Sequence, residues 1–80
     1  MRLPRNCKGA SLSRKLGKLG YSITRQTGSH LRLTTGQNGE HHVTIPRHSP
    51  LKVGTLHAIL QEVARHHKLE VGELIQLIGL

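Results

Sequence analysis

Apolar and polar residues alternate through the middle of the chain, and apolar residues recur at helical spacing at both ends. Tyr21 and Ile23 alternate with Ser22 and Thr24, and Leu31 and Leu33 with His30, Arg32 and Thr34. Val43 and Ile45 resume the pattern after the turn signal Gly36-Gln37-Asn38-Gly39. The period of two predicts three half-buried strands. If apolar side chains share one face, Ile23 sits opposite Leu31 and Tyr21 opposite Leu33. Gln26-Thr27-Gly28 is then a three-residue loop with Gly28 in the left-handed position. The same rule pairs Leu33 with Val43 and Leu31 with Ile45, and on the polar face Arg32 with Thr44 and Thr34 with His42.

Upstream, Leu12, Leu16 and Leu19 predict a helix over roughly Cys7 to Leu19, with Asn6 as N-cap. Gly9 and Gly17 each cost it about 1 kcal/mol relative to Ala. Gly20 closes this helix, and Tyr21 meets Leu16 across the cap. Before it, Met1 to Arg5 reads as a basic arm that Pro4 keeps from being helical. Pro46 ends the third strand and Arg47 to Lys52 is a loop. From about Val53 a second helix turns Leu56, Ile59, Leu60, Val63 and Ala64 inward, with His57, Gln61, Glu62 and Arg65 outward. A short third helix follows, with Val71, Leu74, Ile75 and Ile78 as one stripe, Glu70 and Glu73 as a capping box and Leu69 with Leu74 as a staple.

The predicted fold is therefore α+β and two-layered: a three-stranded antiparallel sheet with helices on one face, in the order α-β-β-β-α plus a short C-terminal helix. At 80 residues the chain has room for one domain, residues 1–80, with one modest core. No internal repeat or low-complexity segment divides it.

Charge changes the picture from fold to partner. Twelve Lys and Arg against four Asp and Glu give a formal charge of +8, and residues 1–39 contain no acid. Arg14, Lys15, Lys18, Arg25 and Arg32 all lie in that half, which points to a polyanion, nucleic acid first, over a merely solvated basic face. No stretch joins a basic face to bulky apolar anchors, so a membrane surface is not the expected partner. The single cysteine, Cys7, allows no intramolecular disulfide and fits a reducing compartment. No apolar run is long enough for a signal peptide or a span, so a cytoplasmic protein is expected. Phe and Trp are absent and Tyr21 is the only aromatic residue of the Phe/Trp/Tyr class, so stacking of bases on aromatic platforms is largely excluded.

Seven histidines raise the possibility of a metal, but His41 and His42 are neighbours on a strand and His66 and His67 neighbours on a helix. No pair has the i, i+4 spacing of a helical zinc site, and no metal or other cofactor is expected. His41, His57, His66 and His67 read as surface or boundary residues. His30 differs: it faces outward at a strand start, beside a glycine turn, in the basic half, and the predicted register places it next to Thr24 on a face with Gln26 and Arg32. A histidine there can take the proton of a ribose 2′-hydroxyl, while cations hold the phosphate.

The set Gly20-Tyr21, Arg25-Gln26-x-Gly28-Ser29-His30, Val43-Thr44-Ile45-Pro46-x-His48 and Leu51-Lys52-x-Gly54-Thr55-Leu56-x-x-Ile59-Leu60 resembles the HicA family of toxin ribonucleases, from Leu3 to the last helix. Val53 stands where many members have proline, and Leu31 where some carry a polar or aromatic residue. The resemblance implies a fold like a double-stranded RNA-binding domain, metal-independent cleavage of mRNA, and neutralisation by a HicB-type antitoxin. It implies the catalytic role for His30. The cations of the basic half, Arg14, Lys15, Lys18, Arg25 and Arg32, together with Gln26 and Ser29, are the expected RNA-binding set, and His42 and His48, which otherwise read as loop or edge histidines, are the candidates for the general acid. A non-catalytic RNA-binding module of the same fold is the alternative, because fold alone does not fix function.

Overall fold

The structure is a computed structural model and describes Leu3, residues 6–47 and residues 50–80. His48 and, apart from Leu3, the expected basic arm Met1 to Arg5 lie outside the described residues. The elements are α1 (Gly9–Leu16), continued by a 3₁₀ turn (Gly17–Leu19), then β1 (Ser22–Gln26), β2 (His30–Thr35), β3 (His41–Pro46), α2 (Val53–His66) and α3 (Val71–Ile78). The three strands form one antiparallel sheet in the order β1-β2-β3. Helices cover one face, and the α+β arrangement is the one the hydrophobic pattern predicts.

The core lies between sheet and helices. Leu12, Leu16, Leu33, Val43, Ile45, Leu56, Leu60, Val63, Leu74 and Ile78 are all almost fully buried. The inward stripe of α2 is the expected Leu56, Ile59, Leu60, Val63 and Ala64. The Glu70/Glu73 capping box is closed on both sides.

Two glycines are needed where they stand. Gly20 ends the 3₁₀ turn at φ 83°, and a Cβ there would also press on Thr35 Oγ1; the Tyr21 N–H then donates back to the Leu16 carbonyl. Gly9 starts α1, two residues later than the expected start at Cys7, with Lys8 rather than Asn6 at the cap position and without a side-chain cap. The reason is contact: a Cβ on Gly9 would run into the carbonyl oxygen of Pro46 and crowd Ile45. The backbone of α1 therefore lies directly on the end of β3. Cys7 sits in the core just before it, and burial pushes its thiol pKa up, which leaves it a small apolar side chain.

The β2–β3 register is the expected one at every pair: Leu31 with Ile45, Arg32 with Thr44, Leu33 with Val43, Thr34 with His42. The β1–β2 register is not. Ile23 pairs with Leu33, and an irregularity between Ile23 and Arg25 brings Arg25 opposite Arg32 and Gln26 opposite Leu31. Thr24 is the extra residue, a β-bulge. Tyr21 lies before the strand rather than in it and is buried, while every residue of β1 is exposed. The loop is Thr27-Gly28-Ser29, and Gly28 is not left-handed. Thr27 makes that conformation unnecessary: its N–H donates to the His30 carbonyl at 2.9 Å, and its hydroxyl accepts from the His30 N–H at 3.1 Å.

Candidate functional site

His30 opens β2 opposite Pro46, and alternation with buried Leu31 and Leu33 turns its imidazole to the uncovered face of the sheet. It is exposed, and its Nδ1 lies 3.0 Å from Ser29 Oγ. The hydroxyl fixes one ring nitrogen and leaves Nε2 toward solvent. Two residues further along the strand, about 7 Å away, Arg32 projects from the same face with Arg25 directly across from it. Like charges opposite one another repel, and the ion pairs among the described residues, His41–Glu62 and His42–Glu40, leave both arginines free. The bulge that overturns the expected register is what makes this pair. It also moves Gln26 off His30's face, because a residue opposite Leu31 faces the helical side.

Thr24, expected beside His30, lies further along. Its hydroxyl meets Thr34 Oγ1 at 2.8 Å, Thr34 meets His42 Nδ1 at 2.7 Å, and His42 Nε2 meets Glu40 at 2.8 Å. His42 thus has both nitrogens engaged. Its partner Thr34 is four residues from His30 on β2, about 13 Å along the strand, too far for His42 and His30 to act on one phosphodiester.

The remaining expected cations divide. Arg14 is exposed on α1 beside the edge of β1. Lys15 is directed the other way: its Nζ donates to the Gly79 carbonyl at 3.0 Å, at the C-terminal end of α3 where the helix dipole favours a cation. Lys18 Nζ comes close to the same glycine. One residue at the site went unexpected. Arg47, just past β3, donates its N–H to the Ser29 carbonyl at 2.8 Å and so belongs to the same corner as His30. The register already contained this, since pairing Leu31 with Ile45 puts Ser29 opposite Arg47.

A second histidine cluster lies at the far end of the inner face. Tyr21 Oη is 2.7 Å from His41 Nδ1 and 3.1 Å from His67 Nε2, and His67 Nδ1 is 3.0 Å from Asn38 Nδ2. One hydroxyl donating to His41 and accepting from His67 satisfies all three groups when both rings are neutral. Burial, then the neighbouring His66, lowers the pKa of both. Burial and then Glu62 push the Tyr21 phenol up to about 12. His66 stacks on His41 with centroids 4.3 Å apart and reaches the carbonyls of Gln37 and Gly39 at 3.0 Å each. His67 is buried, against the expectation of a surface or boundary residue: the end of α2 folds onto the β2–β3 turn, which sequence spacing did not reveal. Among the described residues, no three His, Cys, Asp or Glu side chains are placed to hold a metal ion. No helix among them is long and apolar enough to cross a membrane.

Residues 9–64 match the family model of the HicA toxin of bacterial toxin-antitoxin systems. This is well over half of the 80 residues, and the chain belongs to that family. Nothing matches among the curated proteins or the solved structures.

Proposed function

Starting from membership of the HicA toxin family, we propose that this protein is an endoribonuclease that cuts mRNA with His30 as general base and without a metal. The observation that carries the reading is an exposed His30 whose Nδ1 is held by Ser29, beside the unpaired Arg25–Arg32 couple. In the tautomer with Nδ1–H donating to Ser29 Oγ, Nε2 accepts the proton of the ribose 2′-hydroxyl. The 2′-oxygen attacks the adjacent phosphorus, the bond to the 5′-oxygen breaks, that oxygen takes a proton from solvent water and leaves as a 5′-hydroxyl, and a 2′,3′-cyclic phosphate is left. Arg25 and Arg32 hold the phosphate and stabilise the charge that grows on its oxygens. Arg14 and Arg47 extend the cationic track, and Lys15 and Lys18 add to the long-range field that attracts RNA.

The family supports a cognate antitoxin, and for this chain we read a HicB-type protein whose acidic surface covers His30 and the two arginines. The test is incubation of the purified protein with mRNA, with and without a chelator, alongside His30→Ala. Expected are fragments with cyclic phosphate ends, unaffected by the chelator and lost in the variant. Binding without cleavage by the wild type would leave the non-catalytic RNA-binding module as the correct reading.

A further inference from the structure

The bulge opens a groove between α1 and the edge of β1, on the helical side of the hairpin whose other face carries His30. Its volume is about 520 Å³, within the roughly 300–1,000 Å³ of small-ligand sites. Ile23, Leu31 and Tyr21 give it an apolar floor, Gln26 a polar tip, and Arg14 and Arg47 a cationic rim. Ile23 is 51% exposed at its mouth, although its β2 partner Leu33 is in the core. Among the described residues, the carboxamide of Gln26 takes no hydrogen-bond partner, so a donor and an acceptor stand free over an apolar surface.

We propose that this groove holds one unstacked RNA base adjacent to the cleaved phosphodiester, and that Gln26 selects it. The proposal rests on the ribonuclease reading above. The groove and His30 belong to one corner of the fold: Gln26 pairs with Leu31, the residue after His30, and Arg47 is bonded to Ser29, the residue before it. A strand whose phosphate lies against Arg25 and Arg32 reaches the groove by passing round the hairpin tip Thr27-Gly28-Ser29, with Arg47 and Arg14 meeting the next phosphate. Tyr21 is too buried to offer a ring face. The aliphatic side chains of Ile23 and Leu31 supply one side of the slot, and a guanidinium plane, which stacks on bases as aromatic rings do, supplies the other. A glutamine amide makes paired hydrogen bonds to a base edge, and losing such a pair costs on the order of tenfold in discrimination. An extended acidic peptide added along β1 is the competing occupant, but it leaves the free carboxamide and the corner shared with His30 without a role.

The experiment uses the whole chain carrying His30→Ala, with ¹⁵N label, titrated with 2′-O-methyl RNA pentamers of each base and with an abasic pentamer of equal charge. Expected are shifts at Ile23, Gln26, Leu31 and Arg14 with the base-bearing pentamers only. Gln26→Ala in that background should weaken one pentamer roughly tenfold relative to the others. In the chain with His30 intact, Gln26→Ala should change the base found beside the cut when fragment ends are sequenced. Equal shifts with the abasic pentamer, or groove shifts that appear only with an acidic peptide, would overturn the proposal. Cleavage by the wild type without base-dependent groove shifts removes this proposal alone. Groove shifts in a wild type that does not cleave remove the ribonuclease reading, and with it the placement of the base beside a cut, while base binding in the groove by Gln26 stands.

Discussion

Two ends of one sheet handle histidine in opposite ways. At the β2 start, His30 has one nitrogen held by a hydroxyl and the other open to solvent, beside two arginines that repel each other. At the other end, His41 and His67 share the Tyr21 hydroxyl, and His66 caps the β2–β3 turn. All three rings are engaged with protein groups, and burial lowers the pKa of His41 and His67. A buried, satisfied ring stabilises the fold, whereas an exposed ring with a free nitrogen beside unpaired cations is available for chemistry. The number of histidines, seven, says nothing about which is which.

The largest expected effect separates the two ends most sharply. His30→Ala should reduce RNA cleavage by about 10²–10⁴-fold and leave the Tm nearly unchanged, since an exposed strand residue contributes little to the core. His67→Ala should do the reverse. It leaves Tyr21 and Asn38 each short of a buried partner and should lower the Tm by on the order of 10 °C, with cleavage retained at temperatures where the variant is folded. Both are read by a paired melting curve and single-turnover assay. Cleavage lost in His67→Ala while still folded would tie the two ends together and break the contrast.

How far this contrast was legible beforehand depends on which contacts are local in pattern. The β2–β3 register followed from alternation alone, because Leu31, Leu33, Val43 and Ile45 leave one arrangement that buries all four. For β1 the same rule failed. A single extra residue, Thr24, shifts the pairing without marking the sequence, and it exchanged Gln26 for Arg25 on the outer face. Gly9, read as a weakness in a helix, is a contact point with Pro46. His67 meets Tyr21 across 46 positions, a distance that no periodicity spans. His30 was legible because its exposure depends on β2 alone, and the Arg25–Arg32 pair was not because it depends on the bulge.

Acidification should act on the buried end first. The folded-state pKa of His41 and His67 lies below the ordinary 6.5, so in the window below about pH 6.5 the unfolded chain binds more protons than the folded one. The stability these rings contribute is complete above that value and is lost as pH falls through the depressed folded-state values. For His41 the lowering by burial and by the His66 and His42 charges outweighs the opposing effect of Glu62. A Tm series from pH 7.5 to 5 should therefore decline, and His67→Gln, which takes up no proton, should flatten it. A Tm that rises on acidification would contradict the neutral assignment of the cluster.

The smallest effect tests whether the exposed end is strained for the sake of its ligand. Arg25 and Arg32 face each other across two strands with no carboxylate between them among the described residues. Repulsion between directly opposed like charges opposes pairing of β1 with β2, and a phosphate placed between them removes it. Arg25→Gln keeps a polar side chain of similar reach and removes the repulsion. It should raise the Tm slightly, by roughly 1–4 °C at low salt, with the gain fading as salt screens the pair. The same change removes one phosphate contact, so RNA binding should weaken and the slope of log K against log salt should become shallower by about one. A variant that binds RNA less well while melting higher is the signature of a cationic pair kept for binding against the interest of the sheet. A lower Tm would mean that Arg25 supports β1 through its stem, and that the two ends of the sheet differ less than their charges suggest.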